Sequence, residues 1–169
     1  MIQLISGNIV ALIASILMVI SGSLKDRKKI IYVQTLQIIA FTITDLILGG
    51  YTGAIINLIS LVRNVLSYND KLNNTAKIIL IILSISLSLY FNNLGLIGLL
   101  PIISMVAFTL FMNTKDTIKL KALIIFTMVL WLIFDIYIKS YTSAIFDFIS
   151  IIANIFTSIQ LYKNLKNYT

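Results

Sequence analysis

Apolar residues run along this chain in long blocks separated by short polar interruptions. The blocks cover roughly 2–22, 30–49, 51–68, 77–91, 95–113, 118–139 and 141–162. Most reach the ~17–25 residues that an α-helix needs to cross the hydrocarbon of a bilayer. The pattern therefore predicts an all-α polytopic membrane protein with seven transmembrane helices. The fourth block is the shortest, and at about 15 residues it also fits a re-entrant or interfacial piece.

Charge decides that case. If every block crosses, the loops on one side hold Lys25, Arg27, Lys28, Lys29, Lys71, Lys77, Lys115, Lys119, Lys121, Lys163 and Lys166, and the other side holds only Lys139. By the positive-inside rule the N-terminus is expected outside and the C-terminus in the cytoplasm of a multi-pass inner (plasma) membrane protein. Arg63 lies near the inner end of the third block and is expected to snorkel to the inner headgroups. All eight tyrosines lie near block ends, where an amphipathic ring belongs at headgroup level. The first block has no basic residue before it and a dense basic cluster after it, the reverse of a cleavable signal peptide, so it is expected to remain as the first helix.

The blocks also repeat. At an offset of 90 residues and without gaps, Lys25-Asp26 matches Lys115-Asp116, Asp45 matches Asp135, Tyr51-Thr52 matches Tyr141-Thr142, and Asn64 matches Asn154. Four of the six aspartates fall into two pairs at this one offset. The chain thus divides into a first three-helix repeat (1–75), a linker helix (76–92) and a second three-helix repeat (93–169). Both repeats point the same way, which gives a 3+1+3 arrangement and requires the fourth helix to span. Duplicated units of this kind place a site or pathway on the axis between the copies.

Composition narrows the chemistry. With 59% hydrophobic and 11% charged residues and a mean hydropathy of +1.02, the chain has too little polar surface to cover a soluble globule. It has no His, Cys or Glu, so the usual metal and haem ligands and thiol nucleophiles are missing, and no metal or cofactor is expected. The net charge of +7 sits in short clusters beside apolar blocks, which fits anionic lipid rather than nucleic acid. The partners implied are the bilayer and a small polar solute, and a homo-oligomer is compatible with the pattern.

The third helix of each repeat carries the clearest polar stripe. Gly53, Asn57, Ser60 and Asn64 fall at i, i+4, i+7 and i+11, and Ser143, Asp147, Ser150 and Asn154 repeat it. Such a stripe must face protein or water, because lipid offers an amide no partner. It is either a packing seam or the lining of a solute site. Asn57 against Asp147 breaks the symmetry and makes Asp147 the candidate for proton coupling, since an acid at this depth is protonated, paired or in a wet cavity. Asp45 and Asp135 lie about a turn below the outer helix ends, either tying the turn through the carboxylate or acting as a gate. Gln34 lies at about the depth of Asn64. Together with Gln37 and an aromatic wall of Phe41 and Trp131, it completes the candidate solute-binding set.

The three-plus-one-plus-three arrangement resembles the SWEET and PQ-loop transporter superfamily. The loop reading SLKDRKK, followed by GGYTGAIINLISLVRN, is similar to the YgjV-type bacterial inner-membrane proteins. The chain has no Pro-Gln dipeptide, and Pro101 has Ala11 as its repeat mate. The SWEET resemblance implies that Asn64 and Asn154 converge on a bound solute. The expected function is a transporter or facilitator of a small, polar, largely uncharged solute, the alternative being a non-transporting assembly partner or receptor. An enzyme is not expected, because no base lies at an evident spacing from a nucleophile.

Overall fold

A computed structural model describes residues 1–23, 27–111 and 117–166 of the chain. The matched Lys25-Asp26 and Lys115-Asp116 pairs lie outside the described residues. Seven helices are present among them: α1 (Ile2–Ser23), α2 (Arg27–Leu48), α3 (Tyr51–Tyr68), α4 (Asn74–Tyr90), α5 (Leu99–Phe111), α6 (Thr117–Tyr137) and α7 (Tyr141–Lys166). Stretches of α1 (Ile2–Ser21), α2 (Ile31–Leu48) and α7 (Tyr141–Gln160) are long and apolar enough to cross a membrane by length and composition. The helices α4 and α5 are apolar but shorter.

The fifth apolar block yields a helix that starts four residues later than its sequence pattern, for a local reason. Asn92 accepts from the Leu94 amide at 3.0 Å and donates to the Gly95 carbonyl at 2.8 Å, and Gly95 takes a positive φ of 58°. These contacts close a loop before Leu99. Pro101 then sits in the first turn of α5, where a missing N–H costs nothing.

The α2–α3 and α6–α7 connections are the same turn. Gly49 and Lys139, which are repeat mates, both adopt the left-handed conformation, with φ of 79° and 64°. The Gly50 amide donates to the Asp45 carbonyl (2.7 Å) and the Ser140 amide to the Asp135 carbonyl (2.8 Å), while Gly49 and Lys139 donate to Leu46 and Ile136. This is a Schellman ending. The main-chain carbonyls of Asp45 and Asp135 tie the turns. The carboxylates, which the sequence pattern offered for that task, are directed elsewhere.

Neighbouring helices form a closed ring in the order α1, α2, α3, α5, α6, α7 and back to α1, with α4 outside it against α3 and α5. The first helix of each half therefore packs on the third helix of the other half. Two asparagines stitch these crossings. Asn8 of α1 accepts from the Thr142 amide (2.9 Å) and hydroxyl (3.2 Å) and donates to the Lys139 carbonyl (3.0 Å). Across the ring, Asn92 accepts from the Thr52 hydroxyl at 3.5 Å.

The polarity of the bundle is inverted relative to a soluble protein. Large apolar side chains such as Ile9, Leu12, Ile16, Leu58, Ile82, Ile133 and Ile152 are exposed around the outside, whereas Ser15, Thr44, Thr52, Ser84, Ser88, Thr109 and Ser140 are buried. Lipid is the solvent that suits such a surface. The apolar core is a compact cluster of Ile56, Ile59, Leu80, Ile102 and Met105 between α3, α4 and α5.

Candidate functional site

Inside the ring lies a cavity of about 340 Å³, walled by side chains of α1, α2, α3, α5, α6 and α7. The wall follows from helical periodicity on each element. On α2, Gln34, Gln37, Ile38, Phe41 and Asp45 recur every three or four residues, and on α6 Thr127, Met128, Trp131 and Asp135 do the same. These positions are mates at the 90-residue offset: Gln37 with Thr127, Ile38 with Met128, Phe41 with Trp131, Asp45 with Asp135. Met18 of α1 and Phe108 of α5 are mates as well, as are Asn57 and Asp147. The same faces of the two halves thus look into one space.

Toward the turn end three carboxyl groups gather. Asp45, Asp135 and Asp147 are 2%, 6% and 7% exposed, and all three line the cavity. Asp45 accepts from the Asn57 amide at 2.9 Å. Asp135 lies within electrostatic reach of both Asp147 and Asp45. The 90-residue offset in sequence makes the difference plain. In the first half an amide meets the acid, and in the second half the corresponding position presents a second acid. Asp135 and Asp147 accept no hydrogen bond from a described residue.

Close packing seals this end. Gly53 allows it, because a Cβ there would meet Asp45 Oδ2 at 2.6 Å and the Phe134 ring at 2.7 Å. Phe134 is fully buried and stacks edge-on against Trp131, with centroids 5.6 Å apart.

Toward the other end the wall carries Gln34, Asn64, Ser67 and Arg63. Asn64 is buried, and its side chain makes no hydrogen bond to a described residue. Arg63 departs from the expectation of snorkelling to the inner headgroups. Its Nη1 donates to the Met105 thioether at 3.4 Å, its guanidinium carbon sits 5.2 Å from the centre of the Phe108 ring, and its Nε is buried without a hydrogen-bond partner. Ser60, one turn away, donates to the same sulfur at 3.6 Å. The signal for Arg63 was present in the sequence. Three residues after Ser60 and one before Asn64, it lies within about 60° of the polar stripe on a helix of 3.6 residues per turn. Met105 and Phe108 gave no such signal, since an apolar residue in an apolar helix does not announce which way it faces.

The structure thus brings together Gln34, Gln37, Asn57, Ser60, Asn64, Trp131, Asp45, Asp135 and Asp147. Ser150 and Asn154 lie elsewhere. Asn154 donates to the Ser150 carbonyl at 2.8 Å and accepts from Lys121 Nζ at 3.4 Å, away from the cavity wall. Ser143, the mate of Gly53, pairs with the Ser140 hydroxyl at 2.8 Å.

Among the described residues no cluster of metal-ligating side chains occurs. Compared with known proteins, residues 5–165 match the family described as Imp-YgjV, bacterial inner membrane protein. No curated protein and no solved structure matches the chain.

Proposed function

The chain belongs to the Imp-YgjV family of bacterial inner membrane proteins, and on that premise we propose that it is a transporter or facilitator of a small polar solute. The observation that carries the reading is the cavity: a ring of six helices encloses about 340 Å³ lined by amide, carboxyl and guanidinium groups from both halves. Buried polar side chains in a membrane bundle either bond each other or serve a pathway. Here Asn64, Asp135 and Asp147 have no described hydrogen-bond partner and face the same space.

In this reading all seven helices span, with the N-terminus outside and the C-terminus in the cytoplasm. Two parallel three-helix repeats flank α4 as linker, an arrangement supported by the repeat mates that face one cavity and by the resemblance to SWEET and PQ-loop carriers. The protein works without a cofactor and without covalent chemistry.

Asp147 is the proton-coupling group of this proposal, because it replaces an amide by an acid within electrostatic reach of Asp135. The test uses the full chain in liposomes loaded with candidate solutes. Wild type should exchange its solute in counterflow and accumulate it under a pH gradient. Asp147→Asn, which copies the chemistry of Asn57, should keep counterflow and lose gradient-driven accumulation. Unchanged accumulation in that variant removes Asp147 from the mechanism. A cavity that no solute enters in any state replaces the carrier with a membrane assembly partner whose polar groups are packing contacts.

A further inference from the structure

Sequence alone favoured an uncharged solute, because no basic residue was expected inside the bundle. Arg63 changes that expectation. Arg63 forms part of the cavity wall, yet it makes no ion pair with a described residue, and its side-chain hydrogen bond to a described residue ends on a thioether, a weak acceptor. Arg63 is half-buried, and a cation partly withdrawn from water without a counter-ion is costly to keep. The acids do not supply that counter-ion. Asn57, which holds Asp45, and Arg63 are separated by about 9 Å of helical rise along α3.

Resting on the carrier reading, we propose that the solute is a small zwitterion, its carboxylate held by Arg63 and its ammonium by the Asp45, Asp135 and Asp147 cluster beside Trp131. Each end has the chemistry for its charge. A guanidinium offers a planar fork of donors that fits a carboxylate, and the stacking of Arg63 on Phe108 holds that fork in place. The Asp135 and Asp147 carboxyls, which accept from no described residue, and the Asp45 oxygen that Asn57 leaves free accept from an ammonium, and the Trp131 face adds cation–π attraction. A neutral solute leaves both ends uncompensated, and a solute with one charge leaves one of them so. The cavity is at the small end of ligand sites, which limits the zwitterion to about the size of an amino acid.

The experiment measures binding to the full chain in nanodiscs for glycine, proline and γ-aminobutyrate. Each amino acid is compared with its amide, which lacks the negative charge, and its N-acetyl derivative, which lacks the positive one. Neutral polyols form the third class. At least one zwitterion should bind roughly tenfold or more tightly than both of its derivatives, the factor a charge-assisted hydrogen bond supplies. Arg63→Gln should bring the zwitterion down to the level of its amide while sparing discrimination against the N-acetyl form. Asp135→Asn should weaken the opposite preference, and Arg63→Lys should recover part of the first. Gel filtration and binding of the amides establish that the variants are folded. Equal binding of zwitterions and amides, or an equal loss for every compound in Arg63→Gln, overturns the proposal. If only neutral polyols bind, the carrier reading stands and the zwitterion falls; if no class binds, both fall.

Discussion

Adding one methyl group at Gly53 tests how the acid cluster is held. The Cβ of Gly53→Ala would lie 2.6 Å from Asp45 Oδ2 and 2.7 and 2.8 Å from two atoms of the Phe134 ring. Phe134 is 0% exposed, so the ring has no free space into which to swing. Overpacking of this kind costs ~1–3 kcal/mol, and overlap with three atoms places it at the upper end. Moving the Asp45 carboxyl also strains its bond to Asn57, worth ~1 kcal/mol. Against these stands the better helix propensity of Ala, ~1 kcal/mol. The net expectation is a loss of ~2–3 kcal/mol. Reversible unfolding in mixed detergent and SDS micelles measures it. A second substitution, Phe134→Leu, should return part of the loss in the Gly53→Ala background, because the shorter side chain vacates the space. A Gly53→Ala protein as stable as wild type, or a double variant with no recovery, would refute the assignment of this contact.

Other consequences are simpler to measure. Asn8→Ala removes the side chain that caps α7 at Thr142 and should cost ~1–2 kcal/mol in the same unfolding assay, with little effect at the Asn92 crossing. Lys139→Gly relieves a left-handed lysine and should be neutral to stabilising by up to ~1 kcal/mol, whereas a Pro or Val there should destabilise. For topology, the chain has no native cysteine. Single cysteines at the exposed Tyr51 and Asn93 should label from outside whole cells, and those at Lys71 and Lys119 only after permeabilisation. Labelling of Asn93 and Lys71 from the same side would remove α4 as a spanning helix and the parallel arrangement with it.

Much of the architecture was legible in the chain because lipid imposes a simple rule on sequence. Each backbone polar group must be satisfied within its own segment, so long apolar blocks become helices and the polar interruptions become their ends. The seven helices fall where the seven blocks were, and the main departure, the late start of α5, comes from a loop closed by the side chain of Asn92. The polar stripe on α3 also follows from period alone, and Asn57, Ser60 and Asn64 share the cavity wall or its edge with Gln34.

The destination of each charged group, by contrast, was set by tertiary structure. Arg63 has the stem to reach either the headgroups or the bundle interior, and its neighbours Met105 and Phe108, some forty residues away in sequence, decide for the interior. Asp45 and Asp135 kept the position the turn required but gave that duty to their carbonyls, leaving the carboxyls for the cavity. Asn154 matches Asn64 in sequence, yet Lys121 and its own helix engage it. A repeat fixes which residues correspond, because local sequence carries the helix and its period. Which of them meet depends on which helices pack against each other, and that is settled by contacts between distant segments that no single helix contains.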